Sequence, residues 1–183
     1  MGMTPEELEL LVAAIVRTTP GFGHTTLVAI DGGAAAGKTT LATALAERLP
    51  GSEVVHTDDL LDGWDDQFGF WPRLRGDVLE PLAAGRGGRY RRYDWAAGRF
   101  GPEIGVPVDI RTLIIEGVSA IEACGTWADF RILVDVERSE RERRWRQRDG
   151  GLDANAIRWL DNEDSYFASR RLEADWVIGR PMG

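Results

Sequence analysis

Between residues 32 and 39 the chain reads Gly-Gly-Ala-Ala-Ala-Gly-Lys-Thr. This stretch satisfies the pattern G-x-x-x-x-G-K-[ST] in full. It stands between a β-branched run, Thr25 to Ile30, and a segment of helical spacing, Thr39 to Leu49, which is the context the pattern requires. No side chain larger than a methyl group separates Gly32 from Gly37, so successive backbone N–H groups can curl around an anion. The helix that follows adds its positive dipole end. Gly32, Gly33, Ala34, Ala35, Ala36 and Gly37, with Thr40 in the first helical turn, are therefore expected to contact nucleotide phosphates. Lys38 is expected on the β- and γ-phosphates, and the Thr39 hydroxyl on Mg²⁺. The expected cofactors are ATP and Mg²⁺.

Composition sharpens the role of Lys38. Of 22 basic residues it is the only lysine, all the others being arginine. A compact point charge on a thin stem and a planar fork are not interchangeable in a tight site. The same count excludes a switch-type GTPase, which reads guanine with an Asn-Lys-x-Asp element: no second lysine exists to build one. Thirty acidic residues give a net charge of −8, which argues against a nucleic-acid partner. No apolar run approaches the roughly 20 residues of a membrane span. The N-terminus lacks the order of a signal peptide, so a cytoplasmic location is expected. The lone Cys124 has no disulfide partner and reads as a buried thiol.

The 183 residues suit one domain, 1–183. Helical spacing recurs at Pro5 to Thr18, Trp71 to Ala84, Glu137 to Arg148 and Ala154 to Arg171. Strands are expected around Val54-Val55, at Arg111 to Ile115, at Phe130 to Val136 and at Asp175 to Ile178. Residues 86–105, rich in Gly, Arg and aromatics, read as loop and short ribbon. Alternating strands and helices predict an α/β fold: a parallel five-stranded sheet with helices on both faces.

In open α/β sheets ligands sit at the carboxyl ends of strands. Two strands end there in acids, His56-Thr57-Asp58-Asp59 and Ile115-Glu116-Gly117. Asp58 is expected to orient or accept the proton of an acceptor hydroxyl, and Glu116 to help hold Mg²⁺. Asp59 reads as a cap or a solvated turn acid, and His56 as an ordinary strand side chain. Arg141, Arg144 and Arg148 share one side of the charged helix by their spacing. Aimed at the phosphate loop, they would meet charge spreading onto the transferred phosphoryl oxygens.

With those residues in place, the chain resembles the uridine kinase group of P-loop kinases, which includes pantothenate kinase and phosphoribulokinase. The likeness rests on the phosphate loop, on His56 to Leu61, and on Tyr93-Asp94-Trp95 through Arg99. It continues in Ile115 to Val118 and in Asp135 followed by Arg141, Arg144, Arg148 and Asp149. The resemblance implies an acceptor-side insertion at about 60–108 and a lid at about 137–152. It further implies Asp58 as catalytic base, Tyr93 and Asp94 in the acceptor pocket with Arg148, Arg141 on the nucleotide, and Arg144 in catalysis. The sequence departs from uridine kinases in having Ala96-Ala97-Gly98 where a base-reading His is common.

The expected activity is thus ATP-dependent phosphorylation of a hydroxyl on a small-molecule acceptor, a nucleoside first. Trp64, Phe68, Phe70, Trp71, Tyr93 and Trp95 flank the acceptor side. A nucleoside monophosphate or a non-nucleoside alcohol is the alternative acceptor, with Arg73, Arg75, Arg91 and Arg92 available for an anion. A nucleotide-binding regulator without an acceptor is the alternative from another class. Self-association as a homo-oligomer stays open.

Overall fold

A computed structural model describes residues 3–179 of the chain. Helix α1 (Pro5–Arg17) opens on a reciprocal cap. The Thr4 hydroxyl accepts from the Glu7 amide at 3.2 Å, and Glu7 accepts from the Thr4 amide at 2.7 Å. Such a box satisfies two of the four orphan donors of a helix start. Strand β1 (Thr26–Asp31) then leads through the glycine-alanine loop into α2 (Lys38–Ala46), and β2 (Ser52–His56) follows. The remaining strands of the main sheet are β5 (Thr112–Glu116), β6 (Phe130–Asp135) and β7 (Trp176–Gly179).

These five strands are all parallel and run in the order β2-β5-β1-β6-β7. Strands β1 and β5 are buried along their whole length, as expected of near-continuous apolar runs covered on both faces. One core layer packs Leu8, Leu11 and Ile15 of α1 with Leu41 and Leu45 of α2. The opposite layer holds Leu27, Leu113, Ile115, Phe70 and Leu74. Because the chain leaves β1 toward one sheet edge and later crosses to the other, a crevice opens at the strands' carboxyl ends.

Two regions differ from the sequence expectation. Residues 86–105 hold a full antiparallel hairpin, β3 (Gly88–Asp94) and β4 (Arg99–Val106), with a register shift between Arg91 and Tyr93. Alternation was hidden because arginines fill its outward positions. The stretch from Trp71 to Ala83 is helical throughout, as α3 (Trp71–Arg73) and α4 (Glu80–Ala83), but a π-helical segment, Leu74–Leu79, joins them. Pro81 has no N–H to offer the Asp77 carbonyl, and the widened turn lies just before it. The chain continues with α5 (Ala120–Cys124), the arginine-rich α6 (Arg138–Asp149) and α7 (Ala154–Ala168).

Asp31 ties the sheet to the crevice. Its buried carboxylate accepts from the amides of Gly32 at 2.7 Å, Ser119 at 2.8 Å and Ile121 at 3.0 Å. Burial raises its carboxyl to about 6 even though those three amides and Lys38 pull it down. A raised folded-state value favours the protonated form, so the associated stability is present below about pH 4 and is lost as pH rises through about 6. At roughly 1.4 kcal/mol per unit, the advantage of wild type over Asp31→Asn should be larger at pH 4 than at pH 7 by up to about 3 kcal/mol. Urea unfolding of both proteins at the two pH values measures this; an equal gap at both contradicts it.

Candidate active site

The phosphate loop is shaped by backbone that side chains could not follow. Gly32 lies at φ 143 and Gly37 at φ 106, a region open to glycine. A Cβ on Gly32 would collide with the Val134 carbonyl, and one on Gly33 with the Arg141 guanidinium. Gly37 is the N-cap of α2 and supplies no side-chain cap, so the first-turn amides stay open for an anion. Lys38 is largely buried and donates to the Gly33 carbonyl at 3.0 Å.

Strand register brings the acids to this loop. β5 lies between β1 and β2, and Glu116 pairs with Ile30 on one side and His56 on the other. Register neighbours in a parallel sheet point to the same face. Accordingly the Glu116 Oε1 atom accepts from the Thr39 hydroxyl at 2.9 Å and lies 2.5 Å from His56 Nδ1. Burial works to raise the Glu116 carboxyl, but the His56 contact, Lys38 and Thr39 together hold it low. The same hydrogen bond to Glu116 raises the His56 imidazole. Both shifts draw on the same short contact between the imidazole and the carboxylate.

Asp58 and Asp59 lie on a 3₁₀ turn, Thr57–Leu60, rather than on extended chain. They differ in surroundings. Asp58 faces solvent from the crevice, yet protein encloses the floor on which it rests, and burial raises its carboxyl. Lys38 pulls that carboxyl down while Glu116 and Asp59 push it up. Asp59 is neither a cap nor a solvated acid: it is buried and pairs with Arg92 of β3 at 3.0 Å. The expectation for Asp59 is corrected because the hairpin folds back over the turn and covers it.

The arginine stripe divides. Arg144 donates to the Ala36 carbonyl at 3.0 Å and to Glu140 at 2.8 Å. Arg148 pairs with Asp149 at 2.7 Å and lies over the Trp145 ring at 5.3 Å; the Asp149 hydrogen bond raises its guanidinium, with a smaller contribution from Asp58. Arg141 is buried and committed, with Glu163 at 2.7 Å and Asp164 at 2.5 Å. Glu163 of α7 is buried too, and it accepts from the Ala34 amide at 2.9 Å.

On the hairpin, Tyr93 packs edge-to-face on Trp95 at 5.2 Å and Phe100 at 5.3 Å. Asp94 turns inward on the hairpin, accepting from the Ala96 and Ala97 amides. Trp64 and Trp95 retain 37% and 40% exposure, enough to offer a ring to a ligand. Phe70 is core, Trp71 donates to Ser119 at 2.9 Å, and Phe68 stacks on Tyr166. The four arginines available for an anion all have internal partners: Arg73 bonds the Leu60 carbonyl and Asp66, Arg75 the Ala123 carbonyl, Arg91 the Gly101 carbonyl, and Arg92 Asp59.

For a metal, the hard oxygens of Thr39 and Glu116 suit Mg²⁺, which binds through one or two carboxylates plus phosphate oxygens and water. Sequence reasoning missed His56 and Glu163 as parts of this site, and read Arg92 as available for an anion rather than as the partner of Asp59. His56 was accessible in principle, because it ends an apolar run in register with Glu116. Glu163 and Arg92 arrive from distant elements and carry no local signal.

Solved structures with this geometry identify the fold. A provisionally assigned fructose transport system kinase from a Silicibacter species superposes with a TM-score of 0.73 at 26% identity, covering 97% of this chain and 100% of that one. A provisionally assigned uridine kinase from Bacillus stearothermophilus gives 0.65 at 19%, covering 95% and 98%. A gluconokinase from Sinorhizobium meliloti gives 0.52 at 12%, covering 86% and 85%. The chain has the fold of the uridine kinase-like P-loop kinases. No family model and no curated protein matches the sequence.

The two aspartates should separate in stability. Asp59→Asn weakens the hydrogen bond between a buried carboxyl and the exposed Arg92 and should cost about 1 kcal/mol. Asp58→Asn, on the open floor, should stay within about 0.5 kcal/mol of wild type. Urea unfolding at pH 7 decides; the reverse order would contradict the assignment of the two environments.

Proposed function

We propose that the protein is a kinase that transfers the γ-phosphoryl group of ATP to a hydroxyl of a small molecule. The observation that carries this reading is the convergence of Lys38, Thr39, Asp58 and Glu116 beside the uncapped N-terminus of α2. The triphosphate lies along Gly32 to Thr40, and Lys38 exchanges the Gly33 carbonyl for phosphate oxygens. Thr39 and Glu116 would hold Mg²⁺, which would supply positive charge to offset that of the phosphates. Asp58 accepts the proton of the acceptor hydroxyl as that oxygen attacks phosphorus and ADP departs in line. The burial that raises its carboxyl makes it a better proton acceptor than a solvated aspartate. Arg144 meets the charge of the transferred group, and Arg148 faces the acceptor. The insertion at 60–108, with Tyr93 and Asp94, forms the acceptor side, and residues 137–152 form the lid.

A nucleoside is the first reading for the acceptor, supported by the half-open Trp64 and Trp95 rings, which suit a planar base. A sugar is the second. It is favoured by the likeness, over the full length of both chains, to the provisionally assigned fructose transport system kinase.

The test is ADP formation from ATP with a panel of nucleosides, hexoses and nucleoside monophosphates. No acceptor-dependent ADP would leave a nucleotide-binding regulator instead. With the best acceptor, Lys38→Ala should abolish turnover, and Lys38→Arg should be severely impaired because the fork does not fit. Asp58→Asn should lower kcat by roughly 10²–10⁴ while ATP still binds. Full turnover by Lys38→Ala would overturn the reading.

A further inference from the structure

Glu163, like Asp31, is a fully buried carboxylate that the reaction does not use, and it joins its own helix to two other segments. From α7 its two oxygens accept from the Ala34 amide at 3.1 and 2.9 Å. It also accepts from Arg141 of α6 at 2.7 Å and from the Trp159 indole one turn earlier at 2.8 Å. Arg141 completes the junction through the Val136 carbonyl at 3.2 Å and Asp164 at 2.5 Å. Gly33 is pressed so close that a Cβ there would collide with the guanidinium. The phosphate loop and the arginine helix thus meet at one buried carboxylate. A carboxylate in such a place persists only if every lone pair finds a donor.

We propose that Glu163 is a positioning residue for phosphoryl transfer: it couples the phosphate loop to α6, so that Arg144 and Arg148 meet the nucleotide only while the loop is in its binding shape. This rests on the kinase reading above. Arg141 is accordingly a strut between helix and loop, and its guanidinium acts on the phosphates through the placement of its helix. A misplacement of catalytic groups by about 1 Å can cost on the order of 10²-fold in rate. The loss should therefore fall on turnover more than on binding.

Glu163→Gln keeps the shape and one acceptor for Ala34 but removes the charge that holds Arg141. Arg141→Gln reaches the same contact from the other side and leaves Glu163 bonded to Ala34 and Trp159. With MgATP and the best acceptor, each should lower kcat about 10- to 100-fold while the calorimetric Kd for MgATP rises less than about threefold. The double variant should be no worse than the poorer single, because one contact is lost either way. Unchanged kcat in either folded single variant, a loss equal in Kd and kcat, or losses that multiply in the double variant would each overturn the proposal. Wild-type protein that binds ATP but phosphorylates nothing overturns the kinase reading and this proposal together. Active wild type with an indifferent Glu163→Gln overturns this proposal alone.

Discussion

A loop made of glycine and alanine has no side chains with which to hold its own shape. Between Gly32 and Gly37 the loop has a backbone bond of its own, from the Ala36 amide to the Gly33 carbonyl at 3.2 Å, and its side-chain contacts all come from elsewhere. Asp31 grips the amide of Gly32 from the strand below, Glu163 grips Ala34 from α7, and Arg144 grips the Ala36 carbonyl from α6. The Val134 carbonyl leaves Gly32 no room for a side chain. The loop therefore inherits its geometry from the docking of β1, β6, α6 and α7. Small residues let backbone donors face an anion, and the surrounding helices bear the cost of ordering them.

The second dependence is register. Glu116 reaches Thr39 only because β5 inserts between β1 and β2 with Glu116 opposite Ile30 and His56. A one-residue slip would send Glu116 to the other face of the sheet and leave Thr39 and His56 without their shared partner. Gly117 follows at once and tolerates no Cβ against the Thr57 hydroxyl. That close contact helps lock β5 against the turn that carries Asp58.

The parts legible in the sequence are those with a local signal. The phosphate motif could be read because eight consecutive residues carry it. The five parallel strands could be read because buried strands are short β-branched runs bounded by turns. Asp58 and Glu116 could be read because each ends such a run. Asp59 misled because its neighbours suggest a solvated turn, whereas Arg92, 33 positions away, decides its state. The hairpin was obscured by arginines at positions that face outward, and the π-helical turn by a pattern that looks the same for either winding. Glu163 sits 129 positions from Ala34, and helical periodicity predicts only that it shares a face with Trp159.

The arginines of α6 show how an acidic protein can prepare for an acidic ligand. All of them have carboxylate partners, so the number of basic residues says little about which can serve phosphate. What separates them is the cost of letting go. Arg138 is held by Glu142, Asp161 and Asp164, and Arg141 by a carboxylate with no exposure at all. Freeing either would strand buried or clustered charge, which costs several kcal/mol. Arg144 and Arg148 are paired with Glu140 and Asp149, which are 33% and 40% exposed and can be resolvated by water. Surface pairs of that kind are worth about 0–1 kcal/mol. Arg143 shares Glu140 with Arg144 and helps hold its carboxyl down at about 2, so that acid keeps a partner when Arg144 leaves. Arg144 and Arg148 are thus the two that can change partners at little cost, and Arg138 and Arg141 are those that fix the helix in place.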